Sequence, residues 1–150
     1  MKSNRGFYEI GIIGNKTPDN LGTLWRSGCI MGAAGIFTIG RRYPRRQSCD
    51  TMNTPKHVPL REYDDFESFL EARPRDTQLI GIELIDDAVD ITEFKHPERA
   101  IYLLGAEDTG IPKRYWDTCQ KIIKIPFYGN SLNVAVTGSI VMYDRYVKSA

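Results

Sequence analysis

Three short segments of this 150-residue chain carry polar side chains and glycines at spacings that chemistry could use. In Asn20-Leu21-Gly22-Thr23-Leu24-Trp25-Arg26, an amide suited to a helix start precedes a guanidinium by between one and two helical turns. Such a guanidinium can hold a phosphate or a ribose. The plainer reading is a cap followed by a surface arginine. In Leu104-Gly105-Ala106-Glu107-Asp108-Thr109-Gly110-Ile111-Pro112, glycines between a strand and a helix let backbone amides approach a ligand. This turn is not GxGxxG and lacks the GK[ST] of a phosphate loop, so alone it also reads as punctuation. In Ile125-Pro126-Phe127-Tyr128-Gly129-Asn130-Ser131-Leu132-Asn133, a proline-stopped strand leads to Ser131 and Asn133 at a helix start. No GxSxG surrounds Ser131, and neither His57 nor His96 is tied to it, so a serine nucleophile has no support. Cys29, Cys49 and Cys119 show no metal-ligand spacing and no disulfide framework, so no metal is expected.

The framework around these residues can be read from periodicity. Strands are predicted over 7–14, 36–39, 79–85, 100–104 and 122–125. A first helix is predicted from a cap at Asp19 or Asn20 to the glycines at 32–35, and a second over 64–72, ended by Pro74. Pro112 opens a third to Thr118. The last, over 133–148, places Val136, Ile140, Tyr143 and Val147 on one face. Strands separated by helices imply an α/β fold with a mostly parallel sheet and helices on both faces. The three polar segments then fall at strand ends, the usual ligand edge of such a sheet.

Composition sets the class. With 41% hydrophobic and 26% charged residues the chain reads as one globular domain over 1–150, without repeat, linker or appended RNA-binding domain. No apolar run could cross a membrane and no leader-like segment opens the chain, so a cytoplasmic, reducing compartment is expected. The net charge of +1 conceals +7 over residues 1–61, −9 over 62–98 and +3 over 99–150, so the N-terminal part could still meet a polyanion. Arg41-Arg42-Tyr43-Pro44-Arg45-Arg46 offers four guanidiniums for phosphates and a ring for stacking on a base. In isolation it reads equally as a solvated loop. Lys56, His57 and Arg61 extend the patch, and the acidic run faces away.

Taken together, the three segments closely resemble the SpoU (TrmH-like) RNA 2′-O-ribose methyltransferases of the SPOUT class. Asn20, Gly22 and Arg26 match Asn-x-Gly-x-x-x-Arg. Leu103-Leu104-Gly105, Glu107 and Gly110 match an aliphatic strand into Gly-x-Glu-x-x-Gly. Ile125-Pro126 and Ser131-Leu132-Asn133-Val134 match the third motif. Asp108-Thr109 stands where many members have Gly-Arg, which bears on loop detail and substrate choice.

The resemblance implies a trefoil knot near the C-terminus, which general topology rules would not have suggested. It implies S-adenosylmethionine bound there, largely by backbone groups, in a pocket of Ile82, Glu83, Leu104, Gly105, Gly110, Ile125, Ser131, Leu132 and Asn133. It implies methylation of a ribose 2′-hydroxyl in RNA, and the short chain favours tRNA over rRNA. Arg26 would first anchor phosphate and stabilise the developing alkoxide, since a guanidinium is reluctant to lose a proton, with a role as general base left open. Asn20 and Glu107 would position that arginine or the ribose, and Ser131 and Asn133 would shape the site. A homodimer is implied, with motif one contributing to a site shared with the partner, and the last helix in the interface. Ala135, Gly138 and Ser139 would let the helices approach closely. The rivals are a non-catalytic RNA-binding or assembly protein, expected to have lost Arg26, Glu107 or Asn133, and a small Rossmann-like oxidoreductase, whose fingerprint is missing.

Overall fold

The computed structural model describes residues 6–40, 58–126 and 132–149. Runs of β-branched and aromatic residues, buried on both sides, build the central strands of a seven-stranded sheet. Its strands are β1 (Phe7–Ile13), β2 (Gly35–Ile39), β3 (Leu60–Tyr63), β4 (Gln78–Ile82), β5 (Val89–Asp90), β6 (Arg99–Gly105) and β7 (Lys121–Lys124). They form one sheet of order β3-β2-β1-β6-β4-β7-β5, in which every neighbouring pair is parallel. The α/β architecture expected from the alternation of elements is present.

Strand alternation splits the core into two layers. Ile10, Ile12, Tyr102 and Leu104 meet α1 (Pro18–Met31) and α3 (Val134–Lys148) on one face. Phe37, Leu79, Ile101 and Leu103 meet α2 (Phe66–Ala72) and a 3-10 helix, Lys113–Thr118, on the other. That last element is tighter than the α-helix expected after Pro112.

Helix α1 begins earlier than its sequence suggested. Pro18, whose fixed φ suits the first turn, follows Thr17 as the capping residue, so Asn20 lies inside the helix and is not its cap. Gly32 ends it in the left-handed conformation at φ +85°. The edge strands β3 and β5 were not foreseen. The strand predicted to Ile85 stops at Ile82, which frees Glu83 for other work.

The small residues of α3 face the chain's own α1 and sheet. A Cβ on Gly138 would lie 2.4 Å from Leu24 Cδ1 and 3.0 Å from Leu104 Cδ1, so this glycine lets α3 settle on α1 and its own sheet. Ala135 is buried in the same layer, and Ser139 Oγ lies 2.8 Å from Ser27 Oγ of α1.

The far end of α3 is pinned by a buried polar chain. Arg145 donates to the carbonyl oxygens of Pro97 (2.7 Å) and Glu98 (2.8 Å) and to the Tyr102 hydroxyl (3.0 Å). That hydroxyl sits 2.6 Å from His96 Nδ1, and His96 Nε2 sits 2.7 Å from Asp144. Tyr102 therefore donates to Nδ1 and a neutral His96 donates from Nε2. Burial pushes the His96 pKa down, against the pull of Asp144. Among the described residues no helix is long and apolar enough to cross a membrane, and no cluster of side chains could hold a metal ion.

Candidate active site

The site forms where β6 and β4 end. After Gly105 the chain doubles back: Gly110 N–H donates to Ala106 O at 2.8 Å, with Gly110 at φ +64°. A Cβ on Gly105 would sit 2.2 Å from the carbonyl carbon of Gly110, and one on Gly110 would sit 2.1 Å from Glu83 Oε2. The two glycines are needed because backbone and carboxylate already fill that space. Glu83 Oε2 accepts from Ile111 N–H at 3.0 Å. Burial pushes the Glu83 pKa up, against the backbone N–H groups of Ile111 and Leu84.

Beside this turn lies a cavity of about 310 Å³. Ile82, Glu83, Leu104, Gly105, Gly110, Ile125 and Leu132 line it, all of them residues that the family resemblance implied. Lys124 and Thr137 line it as well. The motifs gave no signal for Lys124; Thr137 could have been found one helical turn past Asn133, whose carbonyl it bonds at 3.0 Å. Ser131 lies outside the described residues.

At the cavity's rim three segments distant in sequence converge. Asn133 Nδ2 donates to Glu107 Oε1 at 2.9 Å and to Asn20 Oδ1 at 3.0 Å, and Asn20 Nδ2 is 3.5 Å from the same Glu107 oxygen. Asn133 is also the cap of α3, its Oδ1 accepting from Val136 N–H at 3.1 Å. Its side chain is thus held at both ends. An ion pair between Lys16 and Asp108 ties the approach to α1 to the turn after β6. Sequence reading had missed that pair.

A sequence profile described as the SpoU rRNA Methylase family matches residues 10–143. The chain belongs to this family. A protein of Staphylococcus haemolyticus assigned to the TrmH family of tRNA/rRNA methyltransferases is 26% identical over 159 residues, covering 99% of this chain and 62% of its own length. The chain therefore spans about three fifths of the curated relatives it first matches. The mouse tRNA (guanosine(18)-2′-O)-methyltransferase TARBP1 is 27% identical over 135 residues, covering 85% of this chain and 8% of its own.

Among solved structures, one from work on the 2-OH methylation of C/U34 on tRNA superposes with a TM-score of 0.82 at 25% identity. It covers 96% of this chain and 97% of that one. The SpoU methyltransferase AviRb of Streptomyces viridochromogenes, in complex with AdoMet, shares the fold at TM-score 0.82 and 20% identity, over 95% of this chain and 57% of that one.

Not every SpoU-motif residue joins the rim. Arg26 is exposed on α1 and makes no hydrogen bond or ion pair with another described residue. Six residues of helix turn it about 240° from Asn20. Arg41, Arg42, Tyr43, Arg45 and Arg46, with Lys56 and His57, lie outside the described residues. Arg61 is no free extension of that patch: its Nε is 3.3 Å from Oε2 of the buried Glu9. Burial pushes the Glu9 pKa up, and Arg61 opposes this. On α3, the stripe Val136, Ile140, Tyr143 and Val147 is 37–59% exposed, while the opposite face is spent on the chain's own core.

Proposed function

We propose that this chain methylates a ribose 2′-hydroxyl of RNA, using S-adenosylmethionine, with tRNA as the favoured substrate class. The observation that carries the reading is the convergence of Asn20, Glu107 and Asn133 at the mouth of a glycine-walled cavity. The relatives whose names specify tRNA support the substrate class. The cavity fits the donor: its volume lies in the small-molecule range, its wall is backbone where a Cβ would intrude, and Glu83 offers a negative charge. When bound, S-adenosylmethionine supplies a methyl group activated by its positive sulfur.

The protein's part is alignment and charge stabilisation. Glu107 accepts at the rim and orients the ribose, in a geometry fixed by the two amides that donate to it. Arg26 holds the adjoining phosphate and stabilises the oxygen as its proton leaves. Arg41, Arg42, Tyr43, Arg45 and Arg46 contact the RNA around the target nucleotide, a role resting on their charge and on the stacking capacity of Tyr43. The family's C-terminal knot belongs to the same reading. It is supported by the sheet order, in which the late strands β6 and β7 slot between strands already laid down. An RNA substrate supports a cytoplasmic setting.

The working unit in this reading is a homodimer. The exposed α3 stripe supplies an apolar surface, and Arg26 shares the open face of α1 with Ile30, one turn on and 65% exposed. Pairing of these faces carries the partner's Arg26 toward a neighbouring cavity. Light scattering at micromolar concentration should give twice the chain mass, and Tyr143→Asp should give a folded monomer with little transferase activity. A monomeric wild type would contradict the pairing.

Incubation with labelled methyl donor and separate tRNA and rRNA fractions, followed by nucleoside mapping, tests the activity itself. Label in 2′-O-methyl nucleosides of tRNA is expected. Absence of label from both fractions would overturn the assignment.

A further inference from the structure

We propose that Glu83 makes the cavity selective for the positively charged methyl donor over its neutral demethylated product. The inference rests on the methyl-donor reading above and concerns product release once the methyl group has left. The donor carries one more positive charge than the product, because the sulfonium becomes a thioether on transfer. A wall with unbalanced negative charge therefore holds the two ligands unequally.

The wall has that imbalance. Among the described residues three carboxylates line it, Glu83, Glu107 and Asp108, against one lysine, Lys124. Asp108 is matched by Lys16. Glu107 is bonded to the neutral amides of Asn20 and Asn133, and Glu83 to the backbone N–H of Ile111, so neither has a paired cation in these contacts. Lys124 Nζ lies 3.4 Å from the carbonyl oxygen of Asp86, outside any of these carboxylate contacts.

Glu83 is the member suited to sensing charge. Glu107 belongs to the rim that meets the ribose, whereas Glu83 sits at the end of β4 and is half-buried. It cannot swing away to solvent without breaking the Ile111 bond, and Gly110 leaves it just enough room to stay. A fixed, partly desolvated carboxylate interacts with a nearby cation far more strongly than a free one in water. Burial, opposed by the backbone N–H groups of Ile111 and Leu84, raises its pKa, and a cation beside it would favour the charged form.

Titration calorimetry on the full chain tests this with three probes: S-adenosylmethionine, the neutral S-adenosylhomocysteine, and sinefungin, which places an ammonium where the sulfonium would be. Wild type should bind both cationic probes about tenfold more tightly than the neutral one. Glu83→Gln keeps an acceptor for Ile111 N–H and should leave S-adenosylhomocysteine affinity unchanged, while the two cationic probes weaken to meet it. Equal affinities of all three probes for wild type would overturn the selectivity and leave the methyl-donor reading standing. A uniform loss across the three in Glu83→Gln would make the residue a wall support only, and would overturn it too. If none of the three binds wild type, the methyl-donor reading falls and takes this inference with it. The wild-type series can overturn the selectivity even if the variant does not fold.

Discussion

Arg26→Ala will bind S-adenosylmethionine as the wild type does and transfer methyl groups at least about a hundredfold more slowly, the usual loss when one charge-stabilising donor is removed. The variant isolates chemistry from stability because Arg26 is exposed and engages no other described residue. Substitutions at such positions shift folding by about half a kcal/mol or less. Arg26→Lys should fail nearly as badly, because a point charge cannot reproduce a planar fork that grips phosphate and oxygen together. Turnover on tRNA, measured beside calorimetric cofactor affinity, separates the outcomes. Near-normal turnover in Arg26→Ala would remove the residue from the reaction.

Gly105→Ala should show the reverse pattern, with the pocket lost first. The new methyl group would sit 2.2 Å from the Gly110 carbonyl carbon and 2.3 Å from the Ile111 nitrogen, both backbone atoms. Strand β6 cannot yield, since it is hydrogen-bonded on both sides and Gly105 is in register with Ile13. The turn over residues 106–110 must move outward instead, taking the Ile111 N–H away from Glu83 and opening the cavity wall. Overpacking of this kind costs about 3 kcal/mol. In a domain of this size that is a fall in Tm of roughly 6–12 °C. Cofactor affinity should drop by about a hundredfold or more, and Gly110→Ala should behave similarly because its Cβ would strike the Glu83 carboxylate. An unaltered cofactor Kd in Gly105→Ala would show that the turn is not a wall of the binding site.

What could be read from the sequence divides along physical lines. Strands β1, β2 and β6 announced themselves because burial on both faces demands unbroken apolar runs, and β7 by its Ile122-Ile123 pair. Strands β3 and β5 did not: Leu-Arg-Glu-Tyr and Val-Asp lie at the sheet's edges, where half the surface is wet and no such run is required. The start of α1 was misplaced because Asn20 looked like a cap, whereas Pro18 had already set the backbone two residues earlier. In the site, residue types were legible and distances were not. Asn20, Glu107 and Asn133 each stood out locally, but a hydrogen bond spanning 113 positions is a property of the sheet order alone. The pairing of Lys16 with Asp108 was invisible for the same reason. The two faces of α3 were both apolar in sequence, so only the fold could assign Gly138 inward and Tyr143 outward.

The sheet order also dictates how this protein must be assembled. Among the described residues, strand β6 alone bridges the β1–β2–β3 half and β4, and β7 alone bridges β4 and β5. Until residue 105 has left the ribosome, a nascent chain therefore holds separate sheet fragments, each with raw edges that any passing strand could extend. Insertion of a strand between two existing edges is a non-local event, and non-local events are slow. The long interval with open edges is a window for aggregation during synthesis.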